Sequence, residues 1–157
     1  MQTQTTALSA LKDTTRVYPG CKILFRLTSE ETNNALAVLE MSMIHGSEPP
    51  RHYHETEDET LIIRKGTITF FVGNDIINAE AGATVFIPRG TFHHFVVTSD
   101  VATATLILTP GGLEHFFESI TMPVDNNEIP PVVQSAFTPE DVKRMKEIAD
   151  KFRIRLA

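Results

Sequence analysis

At 157 residues the chain has the length of one ordinary domain, long enough to bury a hydrophobic core without disulfides as staples. With 41% hydrophobic and 22% charged residues it has a globular composition, and no apolar run approaches the length needed to span a bilayer. A formal net charge of -6, with no Lys/Arg cluster interleaved with aromatics, argues against binding phosphate backbones, so neither nucleic acid nor a membrane is an expected partner.

The opening MQTQTTALSA lacks the basic start and continuous apolar stretch of a secretory signal. Residues 1–20 read as an N-terminal arm, either flexible or exchanged with a second copy. Cys21, the single cysteine, cannot form an intrachain disulfide and reads as an inert small side chain; a cytoplasmic location is the resulting expectation. Short β-type runs separated by Gly, Pro, Asn and Asp then predict strands over 23–28, 35–44, 61–64, 67–72, 84–87, 92–98 and 101–109. Seven strands on short connections predict a sandwich or barrel over 21–109. In the second run Ala37, Leu39, Met41 and Met43 share one face, with Glu40 and Ser42 on the other, so the first face is assigned to the interior. Lys65-Gly66 and Gly73-Asn74-Asp75 supply residues suited to hairpin turns.

Beyond Thr109 the character changes, and residues 110–157 read as a helical extension of a single domain. Gly111-Gly112 precede Leu113, Phe116, Phe117 and Ile120 at helical spacing, which predicts a short amphipathic helix. Pro123, Pro130 and Pro131 break the next stretch. At Thr138-Pro139-Glu140-Asp141 a capping threonine, a proline suited to the first helical position and two acids favouring the dipole predict a second helix, running to about Arg153. Its stripe of Val142, Met145, Ile148 and Phe152 is expected to pack against the outside of the barrel.

The chemistry concentrates between Gly46 and Val97. His52 and His54 are two residues apart, so in an extended strand both imidazoles leave one face and can reach one ion. Glu59 lies five positions past His54, an odd separation that requires the chain to bend, and the polar run Glu55-Thr56-Glu57-Asp58 can supply that bend with its acids in solvent. His93 arrives on another strand after Pro88-Arg89-Gly90; alternation sends its neighbour His94 to the opposite, outer face. Three imidazoles and a carboxylate are donors suited to a borderline transition metal. His45 and His115 fit no such pattern. The run His54-Glu55-Thr56-Glu57-Asp58 has an acid where a zinc protease helix would place its second histidine, and neither a G-x-S-x-G elbow nor a G-x-G-x-x-G loop is present.

The segment GSEPPRHYHETEDETLIIRKG resembles the first cupin motif: a glycine, five residues, His-x-His, four residues, Glu, six residues and a glycine. After fifteen residues GATVFIPRGTFHHFV resembles the second: a glycine, five residues, Pro-x-Gly, two residues and His. It departs only at Val97, where the family places asparagine. With the flanking strands the resemblance reaches from Ile23 to Thr109. It implies an all-β cupin jelly-roll barrel with the C-terminal helices packed on or over it, a metal bound by His52, His54, Glu59 and His93, and a homodimer.

Four protein donors would leave a metal ion with open positions for water, dioxygen or a chelating substrate, and Fe, Mn, Ni, Co, Cu and Zn all accept this N/O set. Phe95 and Val97 are expected to share the face of His93, with Met41 and Met43 on the inner face of another strand, giving a small, largely apolar substrate pocket; Phe116 and Phe117 are candidates for a cover over its mouth. The leading expectation, by resemblance to quercetin dioxygenase-like cupins, is a metal-dependent oxygenase for an enol or phenol, with Glu59 both ligand and proton acceptor. The alternatives are a redox-neutral isomerase, cyclase or lyase, in which Glu59, Arg89 or His115 handles protons, and a non-catalytic small-molecule binding module.

Overall fold

A computed structural model describes residues 14–132 and 138–157. The first thirteen positions of the expected arm lie outside the described residues. The remainder of that arm contains β1 (Thr14–Tyr18), which pairs in full with β2 (Cys21–Leu27) of the same chain. Then follow α1 (Ser29–Thr32), β3 (Ala37–Met43), β4 (His52–His54), β5 (Asp58–Lys65), β6 (Thr67–Val72), β7 (Asp75–Glu80), β8 (Thr84–Ile87), β9 (His93–Val97), β10 (Ala102–Thr109), α2 (Glu114–Ile120), β11 (Met122–Pro123), α3 (Pro139–Lys151) and β12 (Ile154–Leu156). One sheet has the order β11-β1-β2-β3-β10-β5-β8 and the other β12-β4-β9-β6-β7, with the pairings antiparallel throughout. This is the expected all-β jelly roll with small helices.

The core follows from alternation. β3 and β10 are buried at every second residue, which seals Ala37, Leu39, Met41 and Met43 against Ala102, Ala104, Leu106 and Leu108 across the ladder. Gly73 opens the β6–β7 hairpin as expected, but Lys65-Gly66 does not make one: β5 and β6 belong to different sheets, and the turn carries the chain across the barrel. Gly66 takes φ +76°, and a side chain there would run into the Val101 carbonyl, the Ser99 hydroxyl and Ala102 Cα, 2.9 Å from the Cβ position.

The last helix begins as its sequence dictates, with Thr138 Oγ1 accepting from Asp141 N at 3.2 Å and Pro139 at the first helical position. Its apolar stripe does not lie on the barrel along its length. Val142 and Met145 are 42% and 43% exposed, and burial begins only at Ile148, Ala149 and Phe152, because the helix meets the body through its final turns before β12 enters the second sheet. No helix among the described residues is long and apolar enough to cross a membrane.

Candidate metal centre

β4 is three residues long, and its two outer members, His52 and His54, both face inward and are buried. The chain bends over Glu55 to Glu57 and enters β5 in the opposite sheet, where Glu59 is buried and faces the same interior. His93 opens β9 and is the ladder partner of His52. Two sheets thus converge on one point, the second supplying the imidazoles and the first the carboxylate.

The three histidines each offer a ring nitrogen, and these atoms lie within 4.8 Å of one another. His52 Nε2 is 3.1 Å from His54 Nε2, and Glu59 Oε2 is 3.0 Å from His93 Nε2 and 3.6 Å from His54 Nε2. Two rings are oriented from behind. His52 Nδ1 lies 2.8 Å from the Pro50 carbonyl and His93 Nδ1 2.8 Å from that of Thr91, so each donates its Nδ1–H there and keeps the Nε2 lone pair for the centre. His93 Nε2 is buried at ion-pair distance from Glu59 but without hydrogen-bond alignment to any partner. A cation at the point these donors share would satisfy that orphaned atom, and imidazole nitrogens with a carboxylate oxygen suit a divalent transition metal. The donor set fits such an ion.

At His52, His54 and Glu59 the electrostatics agree with ligand duty, whereas at His93 they favour a proton that an ion would displace. Burial, then the neighbouring imidazoles, lowers the His52 pKa to about 4, and burial likewise lowers that of His54, so both rings are neutral at physiological pH. Burial pushes the Glu59 carboxyl up, but the imidazoles, His93 first, outweigh it and hold it down to about 2. Burial lowers His93, and the Glu59 carboxylate more than offsets it, so its pKa is raised.

The surroundings differ in part from expectation. At the level of Glu59 the inner face carries Ile87 and Leu108 as its cross-strand partners, and beside His93 stands Val72. Phe95 is one inward step from His93, roughly 7 Å along the strand. Val97, two steps away at about 13 Å, is sealed at the far end of the barrel opposite Ile68. Met41 and Met43 are core residues about 13 and 20 Å down β3 from Ala37, which lies level with Glu59 through Leu108. Those three belong to the core away from the centre, because sharing an inward face says nothing of depth along it. An open depression at that far end, lined by Ile44, His45, Val96, Val97, Thr98, Ser99 and Asp100, is separate from the histidine centre.

Phe116 and Phe117 lie on α2, which starts where β10 ends, at the centre's end of the barrel; Phe116 packs against Phe117 and Phe152 with ring centroids 5.5 and 5.9 Å apart. Of the acids in the bend, Glu55 pairs with Arg155 and Asp58 with Arg89, whose hydrogen bonds hold the Asp58 carboxyl down to about 2. Arg89 is therefore committed to an ion pair rather than to proton transfer. Glu57 departs from the expected solvation: it is 8% exposed, takes a 2.6 Å hydrogen bond from Thr56 on Oε1, and leaves Oε2 buried without a partner. Its parity with Glu59 was the available signal, masked by three polar neighbours. His45 is exposed beside Glu48, and His94 stacks on Phe71 on the outer face, centroids 4.5 Å apart and planes at 3°.

A second grouping surrounds His115. Ser29 Oγ is 3.3 Å from His115 Nε2, and His115 Nδ1 is 3.0 Å from Glu118 Oε2. The order hydroxyl, imidazole, carboxylate imitates a nucleophilic triad. It is disarmed, because Ser29 is 2% exposed, its N–H is held by Glu114 at 2.5 Å, and Glu30 competes for Nε2 at 3.1 Å. This is a helix-anchoring network, with fully buried Glu114 accepting from both Ser29 N and Gly112 N.

Fold and site together define a small jelly roll with a histidine-rich centre at one end. Residues 39–110, a little under half of the chain, match the family model described as Cupin domain. It is 28% identical over 79 residues to quercetin 2,3-dioxygenase of Bacillus subtilis, a stretch covering 50% of this chain but 23% of that relative, so the chain spans about a quarter of its length. Among solved structures it is similar to one described as a predicted oxalate decarboxylase of Thermotoga maritima (TM-score 0.58, 19% identity, covering 67% of this chain and 99% of the other). It also resembles Pac13, a nucleoside dehydratase from Streptomyces (TM-score 0.56, 15% identity, 76% and 92% covered). At these identities the structures establish the fold.

Proposed function

We propose that the chain is a metal-dependent cupin enzyme in which His52, His54, Glu59 and His93 hold one divalent transition ion and a small, largely apolar enol or phenol is oxygenated beside it. The observation that carries this reading is the orphaned, buried Nε2 of His93 facing Glu59, with the His52 and His93 rings locked from behind by carbonyls. Bound there, the ion supplies Lewis acidity and open positions for oxygen-bearing ligands. Val72, Ile87, Leu108 and Phe95 offer an apolar wall, Phe116 and Phe117 exclude water from the mouth, and Glu59 stands ready to accept a substrate hydroxyl proton. The similarity to quercetin 2,3-dioxygenase supports oxygen as co-substrate.

Metal analysis of the purified chain beside His52→Ala and His93→Ala tests the ligand set, and equal metal in all three would refute it. Substrate-dependent oxygen uptake tests the reaction. Turnover unaffected by anaerobic conditions would instead favour a redox-neutral isomerase, cyclase or lyase. Glu57 supports that second reading, because a buried carboxylate with a free oxygen, two residues from Glu59, could shuttle protons without dioxygen. We also read the chain as a homodimer, supported by the apolar outer strip in which His94, Phe71 and Ile76 (66% exposed) are successive cross-strand neighbours; light scattering decides it.

A further inference from the structure

The two histidines of β4 sit on the most weakly paired ligand strand of the barrel. Glu59 is flanked by β10 and β8, and His93 lies in a strand paired along its whole length with β6. β4 has a single ladder pair with β9, His52 with His93. Its other neighbour is β12, which pairs with all three of its residues: Ile154 with His54, Arg155 with Tyr53, and Leu156 with His52.

The ladder continues beyond the strand on both sides. Glu55 N donates to Arg153 O at 3.1 Å and Ala157 N to Arg51 O at 2.9 Å. By antiparallel alternation the intervening pair, Arg155 and Tyr53, exchanges both hydrogen bonds. Side chains reinforce the backbone. Arg155 reaches Glu55 Oε1 and Asp150 Oδ1, both at 2.6 Å, tying the bend after His54 to the end of α3. Ile154 is 4% exposed and Leu156 packs on the core, each beside the histidine it pairs with.

We infer that β12 is a positioning element of the metal centre, holding His52 and His54 in register with His93 and Glu59. The inference rests on the metal reading above. Since β12 lies at a sheet edge, it can leave while the rest of the barrel stays closed, releasing two ligands of four by local opening.

The probe is Co(II) alone, titrated into the full chain and read by its d–d absorption, which reports both affinity and ligand geometry. Arg155→Pro removes the N–H facing Tyr53 and both ion pairs. It should weaken Co(II) binding by about tenfold or more, the effect typical of lost supporting interactions. The d–d bands should change, and the Tyr53 amide should lose protection from hydrogen exchange. Val97→Asn, which perturbs the far end of the barrel, should titrate like the parent. A folded Arg155→Pro chain with parental affinity and spectrum overturns the inference, as does an equal loss in Val97→Asn. If Arg155→Pro does not fold, Arg155→Ala should weaken binding and Arg155→Lys restore part of it; no change in Arg155→Ala is equally fatal. A parent chain that takes up no Co(II) overturns the metal reading itself, a result distinct from a parent that binds and a variant that matches it.

Discussion

Replacing Glu114 with glutamine removes one charge from a side chain that touches no solvent. In the parent, Glu114 Oε1 accepts from Ser29 N at 2.5 Å and Oε2 from Gly112 N at 2.6 Å, so a single carboxylate closes the start of α1 and the turn into α2. Glutamine can accept from one donor only and must turn its own NH2 toward the other. One buried N–H then lacks a partner, which costs about 1–3 kcal/mol, to which the lost charge assistance of the surviving bond adds. Burial pushes this carboxyl up, yet the bonds from Ser29 and Gly112 outweigh it and lower its pKa. The unfolded chain therefore holds the proton more readily. The contribution is complete above the ordinary glutamate value of about 4.3 and disappears as pH falls through the lower folded value. Urea unfolding followed by circular dichroism at pH 7, and in steps down through the acid range, should show a gap between parent and Glu114→Gln that is widest at neutrality and narrows on acidification. A variant as stable as the parent at pH 7, or a gap that does not narrow, refutes the reasoning.

Val97→Asn restores the residue the family motif would place there, but it inserts an amide into a site 2% exposed, about 13 Å along the strand from His93. Stability should fall by about 1–3 kcal/mol in a denaturant melt, with metal content unchanged. Gly66→Ala should cost several times the roughly 1 kcal/mol of an ordinary positive-φ penalty, because its Cβ meets backbone at Val101 and Ala102; a thermal melt within a degree of the parent would show that the crossing turn has slack. Glu57→Gln keeps the Thr56 hydrogen bond while removing a charge that burial already disfavours, so the metal-free chain should be at least as stable at pH 7. A loss of turnover at constant metal content would then mark Glu57 as a working group.

What could be read from the sequence was whatever alternation alone decides. The inward faces of β3, β5 and β10, the bend required between His54 and Glu59, and the outward turn of His94 all follow from a period of two. The predicted runs at 67–72 and 84–87 coincide with β6 and β8. Depth is hidden, because parity says which face a residue takes and nothing about how far along the barrel it lies; parity alone therefore groups Met41, Met43 and Val97 with the centre. Four strands had no legible signal: β11 and β12 are two or three residues long, β1 follows a polar opening, and β7 buries only Ala79 among six residues. Their pairing is set by partners far away in sequence, as Ile154 with His54 shows.

The donors come from both sheets, and this makes metal binding a question of closure. His52, His54 and His93 belong to the β12-β4-β9-β6-β7 sheet and Glu59 to the other, so the four can share one ion only when the sheets have come together in native register. An unfolded chain offers no such set. An ion that binds there should therefore stabilise the fold by mass action, by about 2.7 kcal/mol at a free concentration one hundred times its Kd. In a domain of this size that corresponds to a rise in Tm of about 5–11 °C. His93→Ala should abolish the rise and also lower the metal-free melt, because it strips the buried Glu59 carboxylate of its nearest partner, 3.0 Å away. Arg155→Pro should need a higher ion concentration for the same shift. Scanning calorimetry with and without chelator checks each step. A parent whose Tm ignores the ion would show that the four donors, however well placed, do not act together.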